Sequence, residues 1–342
     1  MIWEQLKYKF LFAAGILSLL CQVGCSISPL QIPNESENIY SQLPPSDIEL
    51  NIEGLGPCND GADRKIKINS QYPVTVLVHG CFSSAGRFRS LADVLAFHGQ
   101  QSVCFSYDDR DSLMTSSHKL ARALEQLSKE SASSQITVMG HSQGGLIARK
   151  ALVSEREASI ETSAQLDLVT VSAPLAGVDA ARYCANPVIR FATLGLHDLA
   201  CWLVSGDKWH EITYASDFIR QPGALDSSVG RYLQIVTDER DSCRKFNEQG
   251  QCLEDDYVFS LEEQRLSPIA SGATAKTVEI HAGHVEIVGE AGVIPVKLIQ
   301  TLQQEGYIRS TDSRRIEHFN LLLARLYHNQ CLVECKGTET TL

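Results

Sequence analysis

The chain has 342 residues, a length that suits one large α/β domain with short flanks or about two average domains. Hydrophobic residues make up 44% and charged residues 21%, which is typical of a globular protein and excludes a wholly disordered chain. The net charge of -11 makes nucleic acid a poor candidate partner. Zinc-ligand spacings such as HExxH or paired CxxC are absent, and we expect no metal. We also expect no cofactor.

The first segment has the features of an export signal. Two lysines precede the apolar run Phe10–Leu20, which has the length of a signal-peptide core and is short for a membrane span. Cys25, after a glycine, resembles the lipidated cysteine of bacterial lipoproteins. The resemblance implies a signal peptide over residues 1–25 and a lipid on Cys25 that holds the protein in an envelope membrane. A serine after the cysteine favours the outer membrane; a cleaved secreted or periplasmic protein and an uncleaved anchor are the alternatives.

The cysteine count suits an oxidising compartment. Of the 11 cysteines, Cys21 and Cys25 belong to the predicted signal, which leaves nine. Because nine is odd, at least one thiol stays unpaired or pairs between chains. The plausible bridges are Cys184–Cys201, Cys243–Cys252 and a bond from Cys58 to Cys331 or Cys335.

Residues 26–71 are rich in proline and polar residues, which predicts a tether and a loosely structured lead-in. Further along, short apolar runs alternate with helical patterns, which predicts an α/β fold with a mostly parallel sheet covered by helices on both faces. The predicted strands are 74–78, 102–107, 136–139, 166–173, 231–238 and 277–281. The predicted helices lie near 86–98, 113–127, 143–154, 288–305 and 312–328. The alternation stops over about 175–228, which predicts a cap over the carboxyl edge of the sheet.

The sequence Gly140-His141-Ser142-Gln143-Gly144 fits the pattern G-x-S-x-G between a predicted strand and a predicted helix. The turn is so tight that the flanking positions must lack bulk, and it presents Ser142 at a helix N-terminus that favours developing negative charge. We therefore predict Ser142 as the nucleophile; a glycine turn that opens an ordinary helix is the alternative. The neighbouring His141 is expected to point into the core.

An acyl-transfer site needs two N–H donors for the oxyanion. One is expected from Gln143, the residue after the predicted nucleophile. The other is expected from the backbone of Cys81, which follows His79-Gly80 directly after the first strong strand. A nucleophilic thiol at Cys81 is the competing interpretation, but the sequence arranges no obvious base for it.

Three stretches resemble the α/β-hydrolase lipases and esterases: residues 72–99, the GHSQGG elbow and SAPLAGVDAA at 172–181. The resemblance covers roughly 72–306 and implies an α/β-hydrolase fold with a cap insertion, followed by a C-terminal helical extension over 307–342. It also implies a Ser-Asp-His triad, in that chain order, that hydrolyses lipid or other acyl esters through an acyl-enzyme. An acyltransferase with the same acyl-enzyme and a catalytically inactive envelope binding protein are the alternatives.

The predicted base is His284, because it follows a glycine beyond the last strand and matches the Gly-His-x-x-Ile-type ending of the family. His281, at the end of that strand, is the second candidate. The predicted acid is Asp256, because Asp256-Tyr257-Val258-Phe259 resembles the family's Asp-Gly-Val-Val-Pro. The alternative acids are Asp255, Asp238 and Asp241.

The apolar side chains of the predicted cap either line an acyl-chain channel or pack beneath the cap, and the sequence leaves both possibilities open. They are Leu194, Leu196, Leu199, Trp202, Leu203 and Trp209.

Overall fold

A computed structural model describes residues 41–154, 161–179, 181, 206–266 and 275–328. The strands are β1 (Ile48–Leu50), β2 (Leu55–Gly56), β3 (Ile66–Ile68), β4 (Val74–Val78), β5 (Gln101–Phe105), β6 (Gln135–His141), β7 (Gln165–Val171), β8 (Val229–Asp238), β9 (Cys243–Phe246), β10 (Cys252–Asp255) and β11 (Ala275–His281). The α-helices are α1 (Arg89–Phe97), α2 (Leu113–Glu130), α3 (Gln143–Ala151), α4 (Asp217–Arg220), α5 (Leu261–Gln264), α6 (Val296–Gln304) and α7 (Ile316–His328). Short 3-10 helices span Ala85–Phe88, Gly206–His210, Glu286–Val288 and Ser313–Arg315.

The central sheet has seven strands in the order β11-β8-β7-β6-β4-β5-β2. All neighbours are parallel except β2, which pairs antiparallel with β5 at the edge. The edge strand β2 lies within the predicted lead-in. In the pairing of β4 with β6, Val78 is opposite Gly140, and in the pairing of β8 with β11, Asp238 is opposite His281. The loops that leave these strands therefore start side by side at the carboxyl edge of the sheet.

The sheet buries both faces, as predicted from its continuous apolar runs. Along β4, Val76 and Val78 join one apolar cluster with residues of α2 and α3, whereas Leu77 joins a second cluster with residues of α1, α6 and α7. Successive side chains of a strand point to opposite faces, so one pentapeptide contributes to both cores. The prediction of helices on both sides of a mostly parallel sheet is confirmed.

The helix predicted over 288–305 is shorter in the structure. A 3-10 helix, Glu286–Val288, ends at Gly289, and α6 starts only at Val296. Gly289 has φ +78° and Gly292 has φ +80°, a left-handed backbone that glycine adopts without steric cost and that interrupts a helix. Pro295 then precedes the first helical residue of α6, where its fixed φ is tolerated.

The structure contains the disulfides Cys58–Cys104 and Cys243–Cys252. The predicted Cys243–Cys252 bridge is confirmed, whereas the predicted bond from Cys58 to Cys331 or Cys335 is wrong. The reason is strand register: Gly56 on β2 is opposite Cys104 on β5, so Cys58 lies within reach of the Cys104 thiol. Among the described cysteines Cys81 has a free thiol. The predicted Cys184–Cys201 pair lies outside the described residues.

Removing the buried Cys58–Cys104 disulfide should lower the free energy of unfolding more than removing the partly exposed Cys243–Cys252 disulfide. In the chain-entropy treatment, the 46-residue separation of Cys58 and Cys104 corresponds to about 4 kcal/mol, and the 9-residue separation of Cys243 and Cys252 to about 2.5 kcal/mol. We expect urea unfolding of the double variant Cys58→Ala/Cys104→Ala to show the larger loss in free energy of unfolding. The variant Cys243→Ala/Cys252→Ala is the matched control, and a larger loss in that control would contradict the expectation.

The two disulfides among the described residues indicate an oxidising, extracytoplasmic compartment. Across the described ranges, no helix combines the length and apolarity needed to cross a membrane. The predicted signal over residues 1–25, with Cys25, lies outside the described residues, as do the cap residues Leu194 to Leu203. The lipid anchor and the outer-membrane location therefore stay predictions.

Candidate active site

Ser142 lies in the sharp turn between β6 and α3, with φ 55° and ψ -128°. A non-glycine residue rarely adopts this backbone, and such strain recurs at functional sites. The turn also requires the two flanking glycines. A Cβ on Gly140 would lie 2.2 Å from Gly144 O, and a Cβ on Gly144 would lie 2.2 Å from Val78 O. The local sequence thus dictates the strand–turn–helix geometry of a nucleophile elbow.

The loop after β4 runs directly against this turn. A Cβ added to Gly80 would lie 3.0 Å from Ser142 Cβ, so a larger residue would push the loop away from the serine. Cys81 follows Gly80, and Gln143 is the first residue of α3, where the amides have no partner within the helix. The structure therefore brings both predicted oxyanion residues, Cys81 and Gln143, next to Ser142. Burial raises the pKa of the Cys81 thiol, which disfavours the thiolate that a cysteine nucleophile would need.

His284, the predicted base, lies beside the elbow in contact with His141. It is buried on the loop between β11 and the 3-10 helix Glu286–Val288, and its ring centroid lies 4.8 Å from that of His141. His141 is buried, and burial lowers its pKa well below the usual range, so the ring is neutral. Its Nε2 lies 2.9 Å from the backbone oxygen of His284 and donates to it. His281, the alternative base, lies exposed at the end of β11.

The carboxylate that contacts His284 is Glu239, a residue that the sequence interpretation did not consider. Glu239 Oε1 lies 2.9 Å from His284 Nδ1, and the Glu239 side chain is completely buried. Its Oε2 accepts from the backbone N–H of Val258 at 2.6 Å and of Phe259 at 2.8 Å. Thr237 Oγ1 donates to Oε1 at 3.0 Å. These bonds fix the carboxylate, and an Nδ1–H that donates to it leaves Nε2 of His284 as the proton acceptor.

The predicted acid, Asp256, has a different place in the structure, and this corrects the prediction. Its carboxylate accepts from the backbone N–H of Val285 and of Glu286, at 3.0 to 3.1 Å, and does not pair with the His284 ring. Its backbone oxygen accepts from His284 N at 3.0 Å. Burial raises the pKa of the Asp256 carboxyl, and the two amides oppose that shift. Asp256 thus holds the loop that carries His284.

The loop geometry also explains a glycine beside the histidine. A Cβ on Gly283 would lie 2.1 Å from Asp256 Oδ2, so the carboxylate approaches the loop closely only because this position has no side chain. Glycine at position 283 is therefore needed for the close approach of the Asp256 carboxylate as well as for the position of His284.

The other alternative acids are also directed elsewhere. Asp238 pairs with Arg240 through both carboxylate oxygens, and Arg240 lowers the pKa of Asp238 to about 2. Asp255 accepts from Tyr257 N at 3.0 Å in an exposed turn. Asp241 is exposed in the turn before β9, with φ 61°. A signal for Glu239 was present in the sequence: it directly follows the predicted strand 231–238, which is the expected position of the acid. The resemblance to a Ser-Asp-His order restricted the candidates to aspartates.

The parallel sheet with a nucleophile elbow at its carboxyl edge defines an α/β-hydrolase. The sequence profile of the palmitoyl protein thioesterase family matches residues 73–255, and the chain belongs to this family of esterase-like hydrolases. The matched range contains Ser142 and Glu239 and ends before His284. A comparison with curated proteins gives no match.

Two solved structures are among those to which the chain is similar. The mature lipase BlEst2 of Bacillus licheniformis is 14% identical, with a TM-score of 0.46 over 76% of this chain and 98% of that chain. The lin2722 gene product of Listeria innocua is 14% identical, with a TM-score of 0.42 over 71% of this chain and 97% of that chain.

Proposed function

We propose that the protein is a serine hydrolase that cleaves acyl thioesters, and related oxygen esters, through a triad of Ser142, His284 and Glu239. The observation that carries the proposal is the 2.9 Å contact between His284 Nδ1 and Glu239 Oε1 beside the strained turn of Ser142. A nucleophile, a base and a buried carboxylate that orients the base are the parts that acyl transfer needs.

In the proposed reaction His284 Nε2 takes the proton of Ser142, and Oγ attacks the acyl carbonyl. The backbone N–H groups of Cys81 and Gln143 stabilise the oxyanion of the tetrahedral intermediate. The intermediate expels the thiol, which receives its proton from His284, and an acyl-enzyme remains. Water, deprotonated by His284, then attacks the acyl-enzyme, so that a fatty acid is released and Ser142 recovers its proton. Glu239 holds the tautomer of His284 and stabilises the imidazolium that forms transiently.

Two features support a long-chain acyl group. The matched family is named for palmitoyl proteins. Large apolar side chains are also exposed near the proposed triad. Phe82, which follows Cys81, is 81% exposed, and Tyr257 and Val258 are about half exposed, Val258 being one of the residues whose N–H donates to Glu239. Exposed apolar residues next to a catalytic centre suit an apolar substrate.

The test uses the chain from residue 26 onward with its disulfides intact and a matched pair of substrates, a palmitoyl thioester and the corresponding oxygen ester. We expect hydrolysis of both, with the higher kcat/KM for the thioester because a thiolate is the better leaving group. A fluorophosphonate probe should label Ser142, as located by mass spectrometry. A folded protein that hydrolyses neither substrate and is not labelled, in the presence or absence of detergent, would refute the proposal.

A further inference from the structure

A buried lysine contacts the side chains of both proposed oxyanion residues, Cys81 and Gln143. Lys208 lies in the 3-10 helix Gly206–His210, and its side chain is only 4% exposed. Its ammonium donates to Gln143 Oε1 at 2.6 Å, to Cys81 Sγ at 3.0 Å and to the backbone oxygen of Asp109. An ammonium has three N–H donors, and each has an acceptor here.

The three acceptors belong to the segments that follow three adjacent strands. Cys81 follows β4, Asp109 follows β5 and Gln143 follows β6, and these strands are neighbours in the order β6-β4-β5. Further bonds connect the same segments. Gln143 Nε2 donates to Asp109 O at 3.0 Å, and Phe82 N donates to Asp109 Oδ2 at 2.6 Å. Lys208 therefore joins the segments that carry both proposed oxyanion donors.

The backbone around Lys208 is fixed independently of its ammonium. Asp207 N donates to Arg110 O at 2.8 Å. The Glu211 carboxylate accepts from the backbone N–H of Leu113 and from Ser112 Oγ at the N-terminus of α2. A carboxylate at a helix N-terminus is favoured by the orphan amides and the helix dipole. Truncating the lysine side chain should thus leave this segment docked.

We infer that Lys208 is a positioning residue for the oxyanion hole: it fixes the loop of Cys81 and the start of α3 at Gln143, and it holds a buried positive charge in contact with both side chains. The inference rests on the proposed function and deepens it. Asp109 Oδ2, 3.8 Å from Nζ, is the counter-ion. Negative charge develops on the oxyanion in the transition state and is absent from the ground-state carbonyl. Fixed donors and a nearby ammonium therefore stabilise the transition state selectively. We expect the loss of Lys208 to lower kcat and to leave KM nearly unchanged.

The decisive variant is Lys208→Met, which keeps the unbranched side chain up to the position of Cε and removes the ammonium and its charge. We expect kcat for the palmitoyl thioester to fall on the order of 10- to 100-fold, less than for a lost direct donor, with KM changed by less than about threefold. The inhibition constant of a palmitoyl trifluoromethyl ketone, which forms an oxyanion with the serine, should rise by the same factor. The inhibition constant of a non-hydrolysable palmitoyl thioether should stay unchanged. A merely structural role would not separate the two inhibitors.

Gln143→Met keeps the backbone N–H of residue 143 and removes the acceptor of Lys208, so it tests the same connection if Lys208→Met does not fold. In the double variant Lys208→Met/Gln143→Met, the fold-decrease in kcat should be smaller than the product of the two single fold-decreases, because both substitutions break the same contact. Lys119→Met is the matched control, since Lys119 lies on α2 and pairs with Asp111, away from Cys81 and Gln143.

If the wild type is active, and kcat and the ketone affinity are unchanged in Lys208→Met and Gln143→Met, the role of Lys208 is overturned and the proposed function stands. A folded wild type that neither hydrolyses the thioester nor binds the ketone would overturn the proposed function as well.

Discussion

Replacing Ser142 with alanine should lower kcat for thioester hydrolysis by on the order of 10⁴-fold or more, while the protein stays folded. The substitution removes Oγ, the atom that forms the acyl-enzyme. Without its attack, no tetrahedral intermediate on Ser142 forms for the remaining oxyanion donors to stabilise. Because Ser142 is a small side chain on a backbone with positive φ, alanine occupies the same space, and the two flanking glycines still accommodate the turn. The measurement is kcat on a palmitoyl thioester, together with loss of fluorophosphonate labelling.

Ser117→Ala is the matched control for this experiment. Ser117 is also a buried serine, but it lies on α2, where Oγ donates to Leu113 O at 2.7 Å within the helix. Its replacement should leave both the labelling and kcat unchanged. If Ser142→Ala retained full activity while Ser117→Ala lost it, the assignment of the nucleophile would be wrong.

The elbow was predictable because its requirements are local. Glycines flank Ser142, a β-branched run precedes it and a helical pattern follows, so five consecutive residues determine the geometry. The central strands were predictable for the same reason: their apolar runs are short, continuous and separated by helical periodicity. Predicted and observed strands coincide at β4, which spans Val74–Val78 in both.

The proposed acid, Glu239, was not predictable in this way, because its contact with His284 depends on how two distant segments pair. The register that sets Asp238 opposite His281 brings Glu239, one residue beyond β8, to the loop of His284. Asp256 lies equally close to that loop in space, but its carboxylate bonds to backbone amides. Local sequence does not distinguish a carboxylate that binds a ring nitrogen from one that binds an N–H group of the same loop.

The same limitation applies to Cys58 and Lys208. Cys58 bonds to Cys104 because β2 pairs with β5, a contact that neither segment's own sequence encodes. Lys208 is separated by more than 60 residues from Gln143 and by more than 120 from Cys81, and it occurs in a stretch without a recognisable motif. Residues that act by joining separate loops therefore become identifiable only when the loops are in place.

Glu239→Gln should lower kcat on the order of 10⁴-fold, because it reverses the tautomer of His284. In the glutamine variant the amides of Val258 and Phe259 still need an acceptor, so the side-chain oxygen faces them and the NH₂ group faces His284 Nδ1. Nδ1 must then accept, and the ring proton moves to Nε2, where it blocks removal of the proton from Ser142. The measurements are kcat on the thioester and the proton NMR signal of the Nδ1–H of His284, which should disappear.

Asp256→Asn is the matched comparison, since it also changes one buried carboxylate to its amide. The asparagine oxygen still accepts from the loop amides. The NH₂ group takes the place of the second carboxylate oxygen, which accepted from Val285 N, and it has no acceptor there. The loop of His284 should loosen, with a loss on the order of 10-fold in kcat and about 1–3 kcal/mol in free energy of unfolding. The His284 Nδ1–H signal should persist, since Glu239 still accepts it. If Glu239→Gln stayed near wild-type activity while Asp256→Asn lost the signal and the activity, the acid role would return to Asp256.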